Sequence, residues 1–136
     1  MSQSTFQEIL DAAYLNFKEN KHVAIFNLHP SGKKNSKITV EELHQKNLHR
    51  SNGKPLSHAL AVPLRKHLPS EYRTDILTRN HGAAGNHTAI IVTRDEKTKY
   101  IVDYTAKQYD EALPAILVLA KEEWENLIDL HILKGN

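Results

Sequence analysis

His87 opens the run Asn86-His87-Thr88-Ala89-Ile90-Ile91-Val92, and Asp103 closes the run Tyr100-Ile101-Val102-Asp103. Both runs are rich in β-branched residues and read as strands. The polar residues Arg94-Asp95-Glu96-Lys97-Thr98 between them read as the turn of a hairpin. An imidazole beside a carboxylate has a defined chemistry. The acid fixes the tautomer of the ring, and the two form the second and third members of a nucleophilic triad. Whether they meet depends on register. A turn of three or five residues sets both side chains on one face, within two positions of facing each other; a turn of two or four sets them on opposite faces. The plainer alternative is a strand-edge histidine and a turn acid with no shared task.

The first member of such a triad is commonly a cysteine, and this chain has none. Disulfides, thiolate metal sites and thiol catalysis are therefore excluded for the sequence as it stands. The chain has 136 residues, 40% of them hydrophobic and 25% charged, so it is expected to form one domain, residues 1–136, with its own core. A net charge of +2, with nine histidines able to add more below neutral pH, permits RNA or an acidic partner without requiring either. No apolar run approaches the length of a membrane span, and Met1 to Thr5 lacks the basic-then-apolar layout of a cleaved signal. The expectation is a soluble domain, cytoplasmic or delivered into a target cell as part of a larger effector. Its oligomeric state is left open.

The elements that must position the pair follow from periodicity. Phe6, Ile9, Leu10, Ala13, Tyr14 and Phe17 recur at helical spacing after Ser4 or Thr5, either of which can cap the start, and Asn20 ends the helix. His22 to Leu28 reads as a short strand or buried connector, and Pro30 to Lys37 as a polar, basic loop. Thr39 caps a second short helix carrying Val40, Leu43 and Leu48. Ser51-Asn52-Gly53-Lys54 reads as a loop, with Pro55 in the first turn of a third helix that Pro63 should kink or split. Leu56, Leu60, Ala61, Leu64 and Leu68 give that helix its apolar face. Tyr72 to Thr78 and Ala115 to Leu119 read as strands, and Asn80 to Asn86 as a small-residue loop able to approach a ligand. Lys121 to Leu133 is amphipathic, with Trp124 most simply a core residue. Helices first and an antiparallel sheet afterwards make an α+β fold.

The motif Asp103-Tyr104-Thr105-Ala106-Lys107-Gln108-Tyr109, the preceding Asn86-His87-Thr88 strand, and then Leu113-Pro114 and Glu123-Trp124, resemble the C-terminal half of papain-fold (papain-like or transglutaminase-like) bacterial toxin domains. The resemblance covers about the last 50 residues well and the third helix loosely. It implies a papain-like fold, N-terminal helices packed on an antiparallel sheet, with His87 and Asp103 as catalytic residues. In that family a cysteine sits at the N-terminus of the preceding helix, where the helix dipole favours a thiolate. Two alignments fit: one puts Gly53 in the nucleophile's place, in Gly53-Lys54-Pro55-Leu56-Ser57, and the other puts Ser57 there, in Ser57-His58-Ala59-Leu60-Ala61. Pro55 favours the first. The second keeps an atom able to attack, and is what a Cys-to-Ser substitution would look like. An ordinary helix hydroxyl is the plain alternative for Ser57.

Without a cysteine, one chemistry still needs only a placed acid and base: attack of an RNA 2′-OH on its own phosphate, the nucleophile belonging to the substrate. His87 would serve it, with His58, His81, Lys54 or Lys107 assisting, and Thr88 and Gln108 orienting substrate or completing backbone hydrogen bonds. Some contact-dependent bacterial toxins are tRNA-cleaving domains of about this size and mild basicity, which is similarity of class alone. The alternatives are an inactive papain-like module that binds a protein partner such as a cognate immunity protein, and a Cys-substituted protein glutaminase or protease. No cofactor is expected. No metal is expected either, since His44 and His49, and His58 and His67, lack the spacing of a zinc-binding helix. Lys33 to Lys37 reads as a solvated loop, and Gly82 and Gly85 make no phosphate-loop pattern.

Overall fold

The computed structural model describes residues 4–25, 38–41, 49–80, 86–106 and 112–135. Helix α1 spans Thr5–Asn20, strands β1 and β2 are Ala24–Ile25 and Ile38–Thr39, and helix α2 spans His49–Lys66. Strands β3 (Arg73–Asn80), β4 (Asn86–Thr93), β5 (Lys99–Asp103) and β6 (Leu117–Ala120) follow, and helix α3 (Lys121–Gly135) ends the fold. β1 and β2 pair with each other, while β3-β4-β5-β6 form an antiparallel sheet in that order. The α+β expectation holds.

Period-2 alternation sorts the sheet into two faces. Ile76, Ile90, Val92, Val102 and Val118 join Ile9, Ala12 and Ala13 of α1 and Leu60, Ala61 and Leu64 of α2 in one cluster. Leu77, Ala89, Ile91, Ile101, Leu117 and Leu119 join Trp124, Leu127 and Ile128 of α3 in another. The sheet is thus sandwiched, with two helices on one face and the C-terminal helix on the other. Among the described residues no helix is long and apolar enough to cross a membrane.

α1 starts where expected, with the Ser4 hydroxyl accepting from the Gln7 amide at 3.1 Å. Its buried face is rotated from the apolar spacing: Ile9, Ala12, Ala13 and Asn16 point inward, while Phe6 and Tyr14 are 39% and 52% exposed. Asn16 explains the rotation. Its buried amide donates to the Leu60 carbonyl at 3.0 Å and to the Tyr104 hydroxyl at 3.3 Å, and Tyr104 donates to the Ala13 carbonyl at 2.9 Å. A polar knot between α1, α2 and the end of β5 outweighs the hydrophobicity of Phe6 and Tyr14. Burial pushes the Tyr104 phenol well above its ordinary value, so it stays protonated and can donate.

Two expectations about α2 are corrected. Ser51 to Lys54 are helical, not a loop, because α2 begins at His49, so Pro55 lies inside the helix and beyond its first turn. Pro63 does not split the helix, which runs on to Lys66. Each proline removes one intrahelical bond, yet Leu60, Ala61 and Leu64, all buried against the sheet, hold the helix in place. Packing overrides local preference here. Val40 and Glu41 take helical backbone directly after Thr39. The rest of that expected helix, the Pro30–Lys37 loop, and positions 81–85 and 107–111 lie outside the described residues. The strand expected over Ala115–Leu119 runs from Leu117 to Ala120.

Candidate functional site

The loop joining β4 to β5 holds the five residues Arg94 to Thr98, because Thr93 pairs with Lys99. Asp95 builds it, its Oδ1 accepting from the amides of Lys97 at 2.8 Å and Thr98 at 2.7 Å. These amides, above all, hold the Asp95 carboxyl below its ordinary value. An odd-length turn gives the register Ile90↔Val102, which carried back along β4 sets His87 across from position 105, two places beyond Asp103. Both side chains therefore fall on the α3 face. A long imidazole bridges the diagonal, and His87 Nε2 lies 2.7 Å from Asp103 Oδ2.

The Asp103 carboxylate is more than a partner for the ring. Its Oδ2 also accepts from the Trp124 indole N–H at 2.9 Å, and its Oδ1 accepts from the Thr105 amide at 2.8 Å and the Thr105 hydroxyl at 3.1 Å. This gives Asp-x-Thr a physical meaning. The chain turns at Tyr104, and Thr105 folds back to satisfy the carboxylate with both of its donors. Burial opposes ionisation of Asp103, but the facing His87 ring, the Trp124 indole and the Thr105 amide favour it. The net effect lowers its pKa below the ordinary carboxylate value. The ionised acid can only accept, so it takes a hydrogen bond from Nε2–H and fixes the ring proton at that nitrogen.

Trp124 also stacks on His87, with ring centroids 5.5 Å apart and planes at 26°. The indole thus touches both members of the pair, and the side chains of His87 and Asp103 are 1% and 0% exposed. Trp124 is a core residue, as its spacing with Leu127 and Ile128 suggests, and part of the site as well. The available signal was chemical: a buried indole N–H needs an acceptor, and a helix following the sheet had to supply one near Asp103 or elsewhere.

α3 is held to the sheet at a second point. Arg79, paired with His87 across β3 and β4, forms a salt bridge with Glu125 and a bidentate pair with Asp129 at 2.9 and 3.0 Å. Lys121 Nζ joins Glu125 at 2.7 Å. The helix therefore bridges β3, through Arg79, and β5, through Trp124, with His87 on the strand between them. Nothing in the spacing of Arg79 marked this role.

The remaining predicted residues are placed as follows. Ser57 is buried, and its hydroxyl donates to the Thr88 carbonyl at 3.3 Å. Its helix packs on the other face of the sheet from His87. The Thr88 hydroxyl is shared with that of Thr78 at 3.1 Å, a cross-strand bond. Gly53 and Lys54 lie in the early part of α2, and His58 follows Ser57 in the same helix. Gln108, Lys107 and His81 lie outside the described residues. Among the described residues no group of three His, Cys, Asp or Glu side chains could hold a metal ion. The structure thus brings together His87, Asp103, Thr105 and Trp124. No family model, curated protein or solved structure matches this chain.

Proposed function

We propose that this chain is a papain-like toxin or effector domain whose His87–Asp103 pair performs acid–base chemistry on a substrate that carries its own nucleophile, with RNA, and tRNA in particular, as the substrate class. The observation that carries this reading is the Asp103 carboxylate, bonded by the His87 ring, the Trp124 indole and both donors of Thr105 in a fully buried position. A buried charge is costly, and replacing it with apolar residues is often neutral or stabilising. An oriented carboxylate behind an imidazole earns its place through proton transfer. In this mechanism His87 takes the 2′-OH proton, the 2′ oxygen attacks the adjacent phosphorus, and the bond to the 5′ oxygen breaks as that oxygen takes the same proton back from protonated His87. Cleavage of tRNA in the presence of a chelator, lost in His87→Ala and reduced in Asp103→Asn while far-UV circular dichroism is unchanged, is the expected result. Toxicity or cleavage surviving His87→Ala refutes it.

A second reading is favoured by a specific observation. The His87 side chain is 1% exposed and the Ser57 hydroxyl is engaged at Thr88, as suits an inactive module that binds a protein partner such as an immunity protein. Under this reading no RNA is cut, and partner binding is indifferent to His87→Ala. A Cys-substituted glutaminase or protease would instead respond to Gly53→Cys or Ser57→Cys with rapid labelling by a thiol reagent.

A further inference from the structure

Helix α1 carries large apolar side chains on the side that the core does not use. Its inward face is built from Ile9, Ala12, Ala13 and Asn16, mostly small residues that let it sit close to α2 and the sheet. Tyr14 and Leu15 are 52% and 49% exposed, and Leu10 and Phe17 are only partly buried. These four line an open groove of about 870 Å³ along the outer side of the helix, and Lys18 and Lys21 line its end. From Leu10 to Lys21 the groove runs about 16 Å, three turns of helix. Charge is uneven along it. Among the described residues neither lysine meets a carboxylate. Glu19 faces His67 at 2.9 Å, and Glu41, whose amide bonds the Lys21 carbonyl, faces His22 at 3.6 Å. The acid of the groove is Asp11, nearer the other end, which accepts from the Gln7 amide at 2.8 Å.

We propose that this groove docks an acidic amphipathic helix of a partner protein. The apolar stripe of that helix lies along Leu10, Tyr14, Leu15 and Phe17, and its carboxylates stand against Lys18 and Lys21. Shape and charge together select the occupant. A small molecule is held by being mostly enclosed, and a groove lined by half-exposed Tyr14 and Leu15 does not enclose one. A helix needs only a trough with apolar anchors at helical spacing, and Leu10, Tyr14 and Phe17 stand at i, i+4 and i+7. A second copy would set groove against groove in an isologous contact, with no ridge to fill either. An apolar patch rimmed by charge is the usual mark of an interaction surface. Here the two lysines choose the sign of the partner, and Asp11 sets its direction, because the partner's acids must lie away from that end. Among the described residues the groove is formed by α1 and Lys21 alone. It includes neither His87 nor Asp103 and stands or falls apart from the acid–base reading.

A phage-displayed library of helical peptides, selected on the whole chain, tests this. Recovered peptides are expected to carry an apolar stripe with Asp or Glu clustered at one end. Synthetic copies should shift the amide resonances of Leu10 to Lys21 in titrations followed by nuclear magnetic resonance. Tyr14→Asp combined with Leu15→Asp should abolish binding with far-UV circular dichroism unchanged, since both side chains are half-exposed. Lys18→Glu combined with Lys21→Glu should weaken an acidic peptide by at least about tenfold. Lysines in place of the acids of the peptide should restore its binding to that variant. Failure to recover any peptide overturns the proposal, as do peptides without acids or binding indifferent to either pair of substitutions. Dimerisation of the chain through α1 gives the face to a second copy and overturns it too. So does binding to vesicles of phosphatidylserine and phosphatidylcholine, lost in the same variants, with no peptide bound.

Discussion

Trp124→Phe removes one hydrogen bond from the buried site and keeps an aromatic ring in the core. The Asp103 carboxylate then loses its donor at 2.9 Å, although His87 and Thr105 remain. A hydrogen bond to a charged group is worth about 1.5–3 kcal/mol. The smaller ring leaves unfilled volume costing roughly 1 kcal/mol more. A total of about 3 kcal/mol is a large share of the stability of a domain this size. Urea unfolding of wild type, Trp124→Phe, Asp103→Asn and the double variant separates the two contributions. In the Asp103→Asn background the amide oxygen still accepts from the indole but carries no charge, so Trp124→Phe should cost the packing part plus a neutral hydrogen bond of about 0.5–1.5 kcal/mol, leaving a coupling of about 1–2 kcal/mol. The pH dependence has a definite sign. Asp103 has a lowered pKa in the fold, so its contribution is present above the unfolded carboxylate value of about 3.9 and is lost as pH falls through the folded value. Losing the indole donor raises the folded value, so Trp124→Phe should unfold at a higher pH than wild type during acid titration. Additive costs, with no coupling, together with an unmoved acid midpoint, would refute the view that the indole stabilises the ionised acid.

Three further outcomes follow from the same structure. Asp103→Asn should flatten the acid limb of the stability profile that the wild type shows below about pH 4, as read by circular dichroism, because the group with the lowered pKa is gone. Asn16→Ala should cost about 1–3 kcal/mol in urea unfolding, since it removes the buried amide that bonds the Leu60 carbonyl and the Tyr104 hydroxyl. Arg79→Met should cost about 1–2 kcal/mol and alter the near-ultraviolet signal of Trp124, as the clamp on Glu125 and Asp129 is lost. Near-ultraviolet spectra identical to wild type would mean that the clamp does not set the position of α3.

Much of the hairpin was legible because its physics is local. Strand alternation and an odd-length polar turn are enough to put His87 and Asp103 on one face, and the five residues Arg94 to Thr98 supply that turn. The start of α1 was legible for the same reason, since a cap acts within one turn. α2 was not. Ser51 to Lys54 and the two prolines argue locally for a loop and a break, while contacts with a sheet formed later in the chain keep the helix whole. The inward face of α1 also escaped periodicity, because Asn16 is satisfied by Leu60 and by Tyr104, far along the chain.

The sequence by itself determined the α+β order, the hairpin and the absence of any thiol, and reduced the meeting of His87 with Asp103 to a question of register. Tertiary structure decided what surrounds the pair. It laid α3 over the sheet, so that Trp124 bonds Asp103 and stacks on His87, and set Arg79 to hold that helix from the next strand. It turned the Ser57 hydroxyl to the Thr88 carbonyl. These contacts join residues distant in the chain, and their geometry depends on how helices seat on the two sheet faces. Residue types and spacing fix the period of an element, but the facing partner exists only once the layers have packed.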